Sequence, residues 1–287
     1  MILVTGANGQ VGWELARRGA ALGVRAFDHA ALDITDAAQV QTAIAAAKPG
    51  VVINAAAYTA VDKAESEREK AFLVNELGPR NLAQACAAQD IPLIHISTDY
   101  VFDGAKTAPY VESDPVSPLG VYGASKLAGE RAILEAGAKA VILRTAWVFG
   151  AHGNNFVKTM LRLGAERDAL RIVNDQKGCP TAAGDLAEAI LKIAARLPGT
   201  VDPARFGIFH CVGAGPTTWF EFARAIFDAA KPARAPALTP ITTAEYPTPA
   251  RRPANSVLEC GKLAAAHGIT LRHWAAALAE MLAETPT

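Results

Sequence analysis

The first twelve residues constrain the fold most. Ile2–Thr5 is a short apolar, β-branched run, and it enters "GANGQVG", where Gly6, Gly9 and Gly12 recur at every third position. Glycines let the backbone turn tightly and let a bulky anion approach peptide N–H groups. A helix beginning near Gln10 turns its free N–H groups and the positive end of its dipole toward the same spot. Glycines in that spacing are weak evidence alone. Between a strand and a helix they predict a cradle for the diphosphate of a dinucleotide rather than a plain tight turn.

The rest of the chain continues the theme. Short apolar runs at 2–5, 24–27, 51–54, 93–97 and 140–144 alternate with helical patterns at 11–22, 36–47, 67–89 and 125–135. Such alternation predicts βαβ units, and strands apolar throughout suit a parallel sheet covered on both faces. The expected fold is α/β, a Rossmann-type doubly wound parallel sheet in residues 1–150. A smaller, mixed α/β substrate region is expected in residues 151–287. There the patterns give helices at 184–196 and 219–230 and a strand at 207–211, with some segments returning to the first sheet. Prolines in "KPARAPALTPITTAEYPTPARRP" exclude a long helix or a central strand.

Composition removes several function classes. Of 287 residues, 51% are apolar, which argues against disorder, and Lys+Arg balance Asp+Glu at 28 each, so no global basic field exists for nucleic acid. No window of about 18 apolar residues suggests a membrane span. The start has no charged segment followed by a long apolar one, so a cytoplasmic location is expected. Cys86, Cys179, Cys211 and Cys260 are scattered without C-x-x-C or zinc-like spacing and are expected to be free thiols. The six histidines lack ligand spacing, so no metal ligand is assigned.

A dinucleotide site predicts an acid at the end of the second strand to hold the ribose hydroxyls. Asp28 stands there, and Asp33 lies near it. An acid in that place suits NADH, and Arg17, Arg18 or His29 could still admit NADPH. Asp33 has a second reading, as an acid at the start of the 36–47 helix. After the third strand, "AAA" at 55–57 leaves room for a cofactor at the sheet edge.

The chemistry is carried by two later segments. "HISTDY" ends the fourth strand with Ser97, Thr98, Asp99 and Tyr100, and "VYGASKLAGE" puts Tyr122 and Lys126 four apart on one helical face. A ketone reduced by hydride needs a proton at its oxygen, and a phenol of ordinary pKa about 10 is a poor partner near neutrality. A neighbouring lysine favours the phenolate, and Thr98 can hold the same oxygen. Gly123, Ala124 and Ser125 are expected to leave space beside the phenol for cofactor and sugar.

These segments, with "TAVDKAES", "STDYVFDG", "LRTAWVFG", "VNDQKGCPT" and "RRPANSVL", resemble the extended short-chain dehydrogenase/reductases. Within them the likeness is to the dTDP-4-dehydrorhamnose reductase family, over almost the whole chain. The resemblance implies NADH- or NADPH-dependent reduction of a 4-keto sugar on a nucleotide, in dTDP-rhamnose synthesis. It implies catalytic roles for Thr98, Tyr122 and Lys126, the last two also touching the cofactor. Cofactor contacts would come from Gly6, Gly9, Gln10, Val11, Gly12, Asp28, Asp33, Ile34, Ala55, Ala56 and Ala57. Substrate contacts would come from Val61, Thr98, Asp99, Tyr100, Trp147 and Asn155, the 174–181 loop and Arg251 or Arg252. Trp147 would serve as a platform for the sugar ring. Some members form dimers that hold magnesium through glutamates. Glu14 matches one of these, but Gly184, followed by Asp185, occupies the second position; the alternative for Glu14 is a solvated acid.

Two rival functions share this scaffold. Related dehydratases carry an Asp-Glu pair after the threonine, whereas Tyr100 follows Asp99 here, which argues for simple reduction over dehydration or epimerisation. A non-catalytic regulatory subunit would not need the intact Thr98, Tyr122 and Lys126.

Overall fold

A computed structural model describes residues 1–284. Its centre is a six-stranded, all-parallel sheet: β1 (Ile2–Thr5), β2 (Val24–Phe27), β3 (Val51–Asn54), β4 (Leu93–Thr98), β5 (Ala140–Thr145) and Gly207–His210. The order across the sheet is Gly207–His210, β5, β4, β3, β1, β2. From β1 the chain goes first to one side (β2) and then to the other (β3). Ligands of open α/β sheets bind at such a reversal, beyond the strands' C-terminal ends. Here those ends are the glycine turn after Thr5 and the alanines after Asn54.

Alternating strand residues explain both covered faces. Ile2, Val4, Val51, Ile53, Ile94, Val141 and Leu143 pack on one face, together with Leu15 of α1 (Gln10–Arg18). Leu3, Val52, Leu93 and Ile142 pack on the other, against Val40 and Ile44 of α2 (Ala37–Ala47). The strands at the middle of the sheet are therefore mostly apolar and buried on both faces, while the edge strand β2 leaves Arg25 exposed.

The helix expected at 67–89 runs without a gap from 68 to 87 and carries a π-helical turn inside it. After α3 (Val61–Ala64) come α4 (Arg68–Phe72), a π-helical turn at Leu73–Leu77 and α5 (Gly78–Ala87). Pro79, which lacks an N–H, occupies the start of α5. The bulge places Asn75 in the interior, where Asn75 accepts from the Tyr58 N–H at 2.8 Å and donates to Tyr58 O and Ser125 Oγ at 3.0 Å. It thereby joins the loop after β3 to α6 (Val121–Glu135), the helix that carries Tyr122.

A second layer sits over the sheet's C-terminal edge. It contains β6 (Val148–Phe149), α7 (Phe156–Glu166), β7 (Ala169–Val173), β8 (Lys177–Gly178) and β9 (Thr181–Ala182). Then come α8 (Ala183–Ala194), which packs on α1, and β10, the Gly207–His210 strand already placed beside β5. β11 (Thr217–Thr218), α9 (Trp219–Ala230), β12 (Ala237–Ile241), α10 (Gly261–His267) and α11 (Trp274–Glu284) complete the chain. β12 contains Pro240 and pairs with β7 in a two-stranded sheet, which tolerates the missing N–H. The four cysteines are free thiols. Among the described residues no helix is long and apolar enough to cross a membrane.

Candidate active site

The C-terminal ends of β1, β3, β4 and β5 open into one cavity of about 590 Å³. Gly9, Gln10 and Val11 line it, with Ala55, Ala57 and Val61, then Thr98, Asp99, Tyr100, Tyr122, Lys126 and Trp147. Residues scattered from 9 to 147 therefore share one space.

The glycines divide the work at its rim. Gly6 has φ +80, and a Cβ there would lie 2.5 Å from Ala56 N, so this position makes the turn and the close approach to the neighbouring loop. A Cβ on Gly12 would lie 2.0 Å from Gly6 O, which fixes helix against turn. Only Gly9 faces open space: a Cβ there would meet a single atom, Gly6 O, at 3.4 Å. Gly9 is also the N-cap of α1 and offers no side chain to the helix N–H groups. A small open residue before uncapped N–H groups suits a diphosphate. Thr145 Oγ1 is buried without a hydrogen-bond partner among the described residues, and Thr145 lines the same cavity. The residues present fit a dinucleotide.

Other expected cofactor residues lie behind this lining. Asp28 follows β2 and accepts from Ala31 N–H at 2.9 Å, with Asn8 Nδ2 at 3.4 Å from its second oxygen. Asp33 does not cap α2; that role belongs to Asp36. Asp33 holds its own turn by accepting from the Thr35 N–H and hydroxyl. Ile34 packs in the core, and Ala56 donates its N–H to Asn54 Oδ1. Asn155, expected beside the substrate, caps α7 and donates to Gln10 Oε1 and Gly150 O; Asn154 lines the cavity instead.

Tyr122 stands in the first turn of α6. The helix has no side-chain cap at Gly120, and Glu65 supplies the missing acceptor to the Val121 N–H at 2.8 Å. Gly123 and Ser125 are small for a different reason than the sequence suggested. A Cβ on Gly123 would lie 2.1 Å from Tyr100 O, and Ser125 meets Asn75. Their size lets the helix close on protein, not ligand.

Burial pushes the Tyr122 phenol up to about 12, the Thr98 hydroxyl beside it pulls down, and the Asp99 charge pushes up. This corrects the expectation of a phenol driven toward phenolate by Lys126. The Lys126 ammonium group is turned elsewhere, to Ile96 O at 2.7 Å and His95 Nε2 at 3.2 Å. Burial lowers Lys126 to about 8, opposed by the charge of Glu130. Thr98 donates to Asp99 Oδ1 at 3.0 Å and accepts from the Tyr100 N–H. Burial raises Asp99 to about 6. Such a constellation can hand a proton to an oxygen placed between Thr98 and Tyr122.

A second cavity, of about 680 Å³, adjoins the first and shares Tyr100 and Trp219 with it. Arg167, Arg171, Gln176, Tyr246 and Arg252 contribute to its lining. Arg252 makes a two-pronged ion pair with Asp62, while Arg251 lines a shallow recess beside Glu65 and Tyr122. Trp147, at φ +47, stacks face to face on Trp219 with ring centroids 3.5 Å apart. Trp219 in turn donates to Gln176 Oε1. Sequence reasoning missed Trp219, Asn75, Thr145 and His95. Only His95 left a signal, as a polar residue inside an otherwise apolar buried run.

Magnesium does not fit at Glu14. That residue is only 5% exposed, not solvated, and its carboxylate already accepts from Arg17 and Arg18. A Cβ on Gly184 would lie 2.5 Å from Arg18 Nη2, and Asp185 is paired with Arg272. A guanidinium thus fills the place a cation would need.

Sheet order, glycine turn and the Thr98–Tyr122–Lys126 cavity define a nucleotide-binding fold of the short-chain dehydrogenase/reductase type. A solved UDP-glucose 4-epimerase of Thermus thermophilus in complex with NAD is 26% identical, with a TM-score of 0.78 covering 98% of this chain and 97% of that one. The model of the RmlD substrate binding domain family matches residues 1–286, and the chain belongs to that family. The dTDP-4-dehydrorhamnose reductase of Aggregatibacter actinomycetemcomitans is 46% identical over 284 residues, spanning 96% of each chain. That of Streptomyces griseus is 49% identical over 286 residues, spanning 97% of this chain and 91% of its own. The Bacillus anthracis enzyme of the same name, solved in complex with NADP, superimposes with a TM-score of 0.92 at 38% identity, covering 99% of both chains.

Proposed function

We propose that this protein reduces the C4 ketone of dTDP-4-dehydro-L-rhamnose to dTDP-L-rhamnose, using NADH or NADPH. The carrying observation is the pair of adjoining cavities: one holds Gly9, Thr98, Tyr122 and Lys126, the other lies beyond Tyr100 and Trp219. A reduced nicotinamide bound in the first supplies hydride. Thr98 and Tyr122 hold the ketone oxygen, and Tyr122 donates the proton. Lys126 lines the same cavity one helical turn from Tyr122, as the residue that tunes the site. Residues 1–150 bind the dinucleotide. Arg167, Arg171, Gln176 and Tyr246, from the region after residue 150, line the second cavity and would meet the nucleotide end of the substrate. Tyr100 stands where a dehydratase would carry the second acid of its Asp-Glu pair, which favours reduction over dehydration.

Cofactor oxidation over a panel of dTDP-, UDP- and GDP-linked 4-keto-6-deoxy sugars tests the reading. Turnover is expected with the dTDP sugar, and none above background with either cofactor would refute it. Tyr122→Phe is expected to lower kcat by roughly 10²-fold or more, the usual worth of a general acid.

A further inference from the structure

Behind Lys126 runs a buried polar chain that the proposed chemistry leaves unused. Thr5 Oγ1 meets Asn54 Oδ1 at 2.8 Å, Asn54 Nδ2 meets His95 Nδ1 at 3.0 Å, and His95 Nε2 meets Lys126 Nζ at 3.2 Å. Thr5, Asn54 and His95 are fully buried, and Lys126 is 2% exposed. It links three adjacent strands of the central sheet, β1, β3 and β4, to α6.

Proton positions in this chain follow from one backbone group. The Ala56 N–H donates to Asn54 Oδ1 at 3.1 Å, and an N–H can only donate. Asn54 therefore turns its amide nitrogen to His95. That nitrogen is also a donor, so His95 Nδ1 must accept and the imidazole proton belongs on Nε2. Nε2–H then points at Lys126 Nζ. An ammonium has three donors and no acceptor, so a charged Lys126 faces a donor. Only the neutral amine, with its lone pair, completes the chain. Its remaining hydrogens can still donate to Ile96 O.

We propose that His95 is a positioning residue that sets the protonation state of Lys126, its Nε2–H donating to the lysine lone pair and favouring the neutral amine. The idea rests on the reductase reading only for its kinetic consequence. Burial works against a charged imidazole and holds His95 below the ordinary histidine range, so it stays neutral and keeps one Nε2–H to give. The other titratable groups near Lys126 act differently. Tyr122 and Asp99 share its cavity. Glu130, on the same helix, favours the ammonium, but its carboxylate is bonded to Arg144 of β5 and Ser97 of β4. His95 is the group that opposes the charge by a directed hydrogen bond. Lys126 thus changes charge near the working pH.

The test is nuclear magnetic resonance on the free protein labelled with ¹⁵N and ¹³C, with the His95 ring and the Lys126 side chain assigned through their own backbone resonances. Wild-type His95 is expected to carry its proton on Nε2, with Nδ1 bare, between pH 7 and 9. The Lys126 side chain is expected to titrate near 8. Glutamine can turn its carbonyl to the lysine, so His95→Gln should raise that midpoint by about one unit or more, a tenfold change in proton affinity. Asn54→Asp, which keeps the Ala56 bond but accepts from His95, should move the histidine proton to Nδ1. A wild-type proton on Nδ1, or a Lys126 midpoint unmoved by His95→Gln, would overturn the proposal; the tautomer decides it even if the variants fail to fold. In the reduction assay, the alkaline limb of kcat/KM should rise with the lysine midpoint in His95→Gln. A substrate panel without turnover removes the reductase reading and leaves the resonance result standing.

Discussion

Glu130→Gln offers the sharpest test of how the interior is held. The Glu130 carboxylate is 1% exposed and its partner Arg144 2%. It receives Arg144 Nε at 2.9 Å, Arg144 Nη2 at 2.7 Å and the Ser97 hydroxyl at 2.5 Å. Glutamine keeps one acceptor oxygen, but its NH₂ must face a donor. The guanidinium then stays buried as an uncompensated charge, left with the ring face of Phe102 at 5.1 Å. Removing one partner of such a pair costs about 3–5 kcal/mol. For a domain of this size each kcal/mol is worth ~2–4 °C, so the melting temperature should fall by roughly 6–20 °C. Urea unfolding followed by circular dichroism measures the loss directly. Glu130→Leu with Arg144→Met should recover much of it, because no stranded charge remains. A loss below about 1 kcal/mol in the single variant would refute the reasoning, since that is the worth of an exposed pair.

Three further outcomes follow from the site. Asp99 has a folded pKa near 6, above its ordinary 3.8. Its contribution to stability is full below 3.8 and is lost as pH rises through 6. The unfolding free energy of Asp99→Asn should therefore gain on that of the parent as pH rises from 4 to 6.5, by on the order of 2–3 kcal/mol across the window; parallel curves would refute the shift. Gly6→Ala forces a Cβ onto the Ala55–Ala56 backbone at positive φ, and should cost about 1–3 kcal/mol in urea and weaken cofactor binding by calorimetry. A Cβ at Gly178 would lie 2.4 Å from the Trp147 ring. Gly178→Ala should displace the indole and raise KM for the sugar nucleotide more than it lowers kcat.

Much of the fold was legible because the central strands are buried on both faces. A strand of that kind is mostly apolar, so β1 and β3 stand where the apolar runs do, and the edge strand β2 does so despite its exposed Arg25. β4 and β5 each run one residue further, to Thr98 and Thr145, because hydroxyl residues at a sheet edge are not apolar. The π turn within the 67–89 helix was less legible. Its apolar pattern continues through the π turn, and only the buried Asn75 shows why a bulge is there. The residues gathered around Lys126 were legible only in part. Tyr122 and Lys126 are neighbours along one helix, which spacing reveals. His95, Asn54 and Thr5 meet across strands far apart in the chain, and no local pattern reports that contact. The role of Gly123 was misread for the same reason, because its tight neighbour is the carbonyl of Tyr100.

The stacked indoles of Trp147 and Trp219 have an optical consequence. Two stacked chromophores this close share their excited states, and where their transition dipoles are skewed within the stack that sharing gives paired bands of opposite sign in the circular dichroism spectrum. Trp219 belongs to the wall of both cavities. Any occupant that tilts or slides one ring rewrites the pair of bands, whichever side it enters from. The protein therefore carries its own label, and the order in which two ligands arrive can be read from its spectrum without attaching a dye.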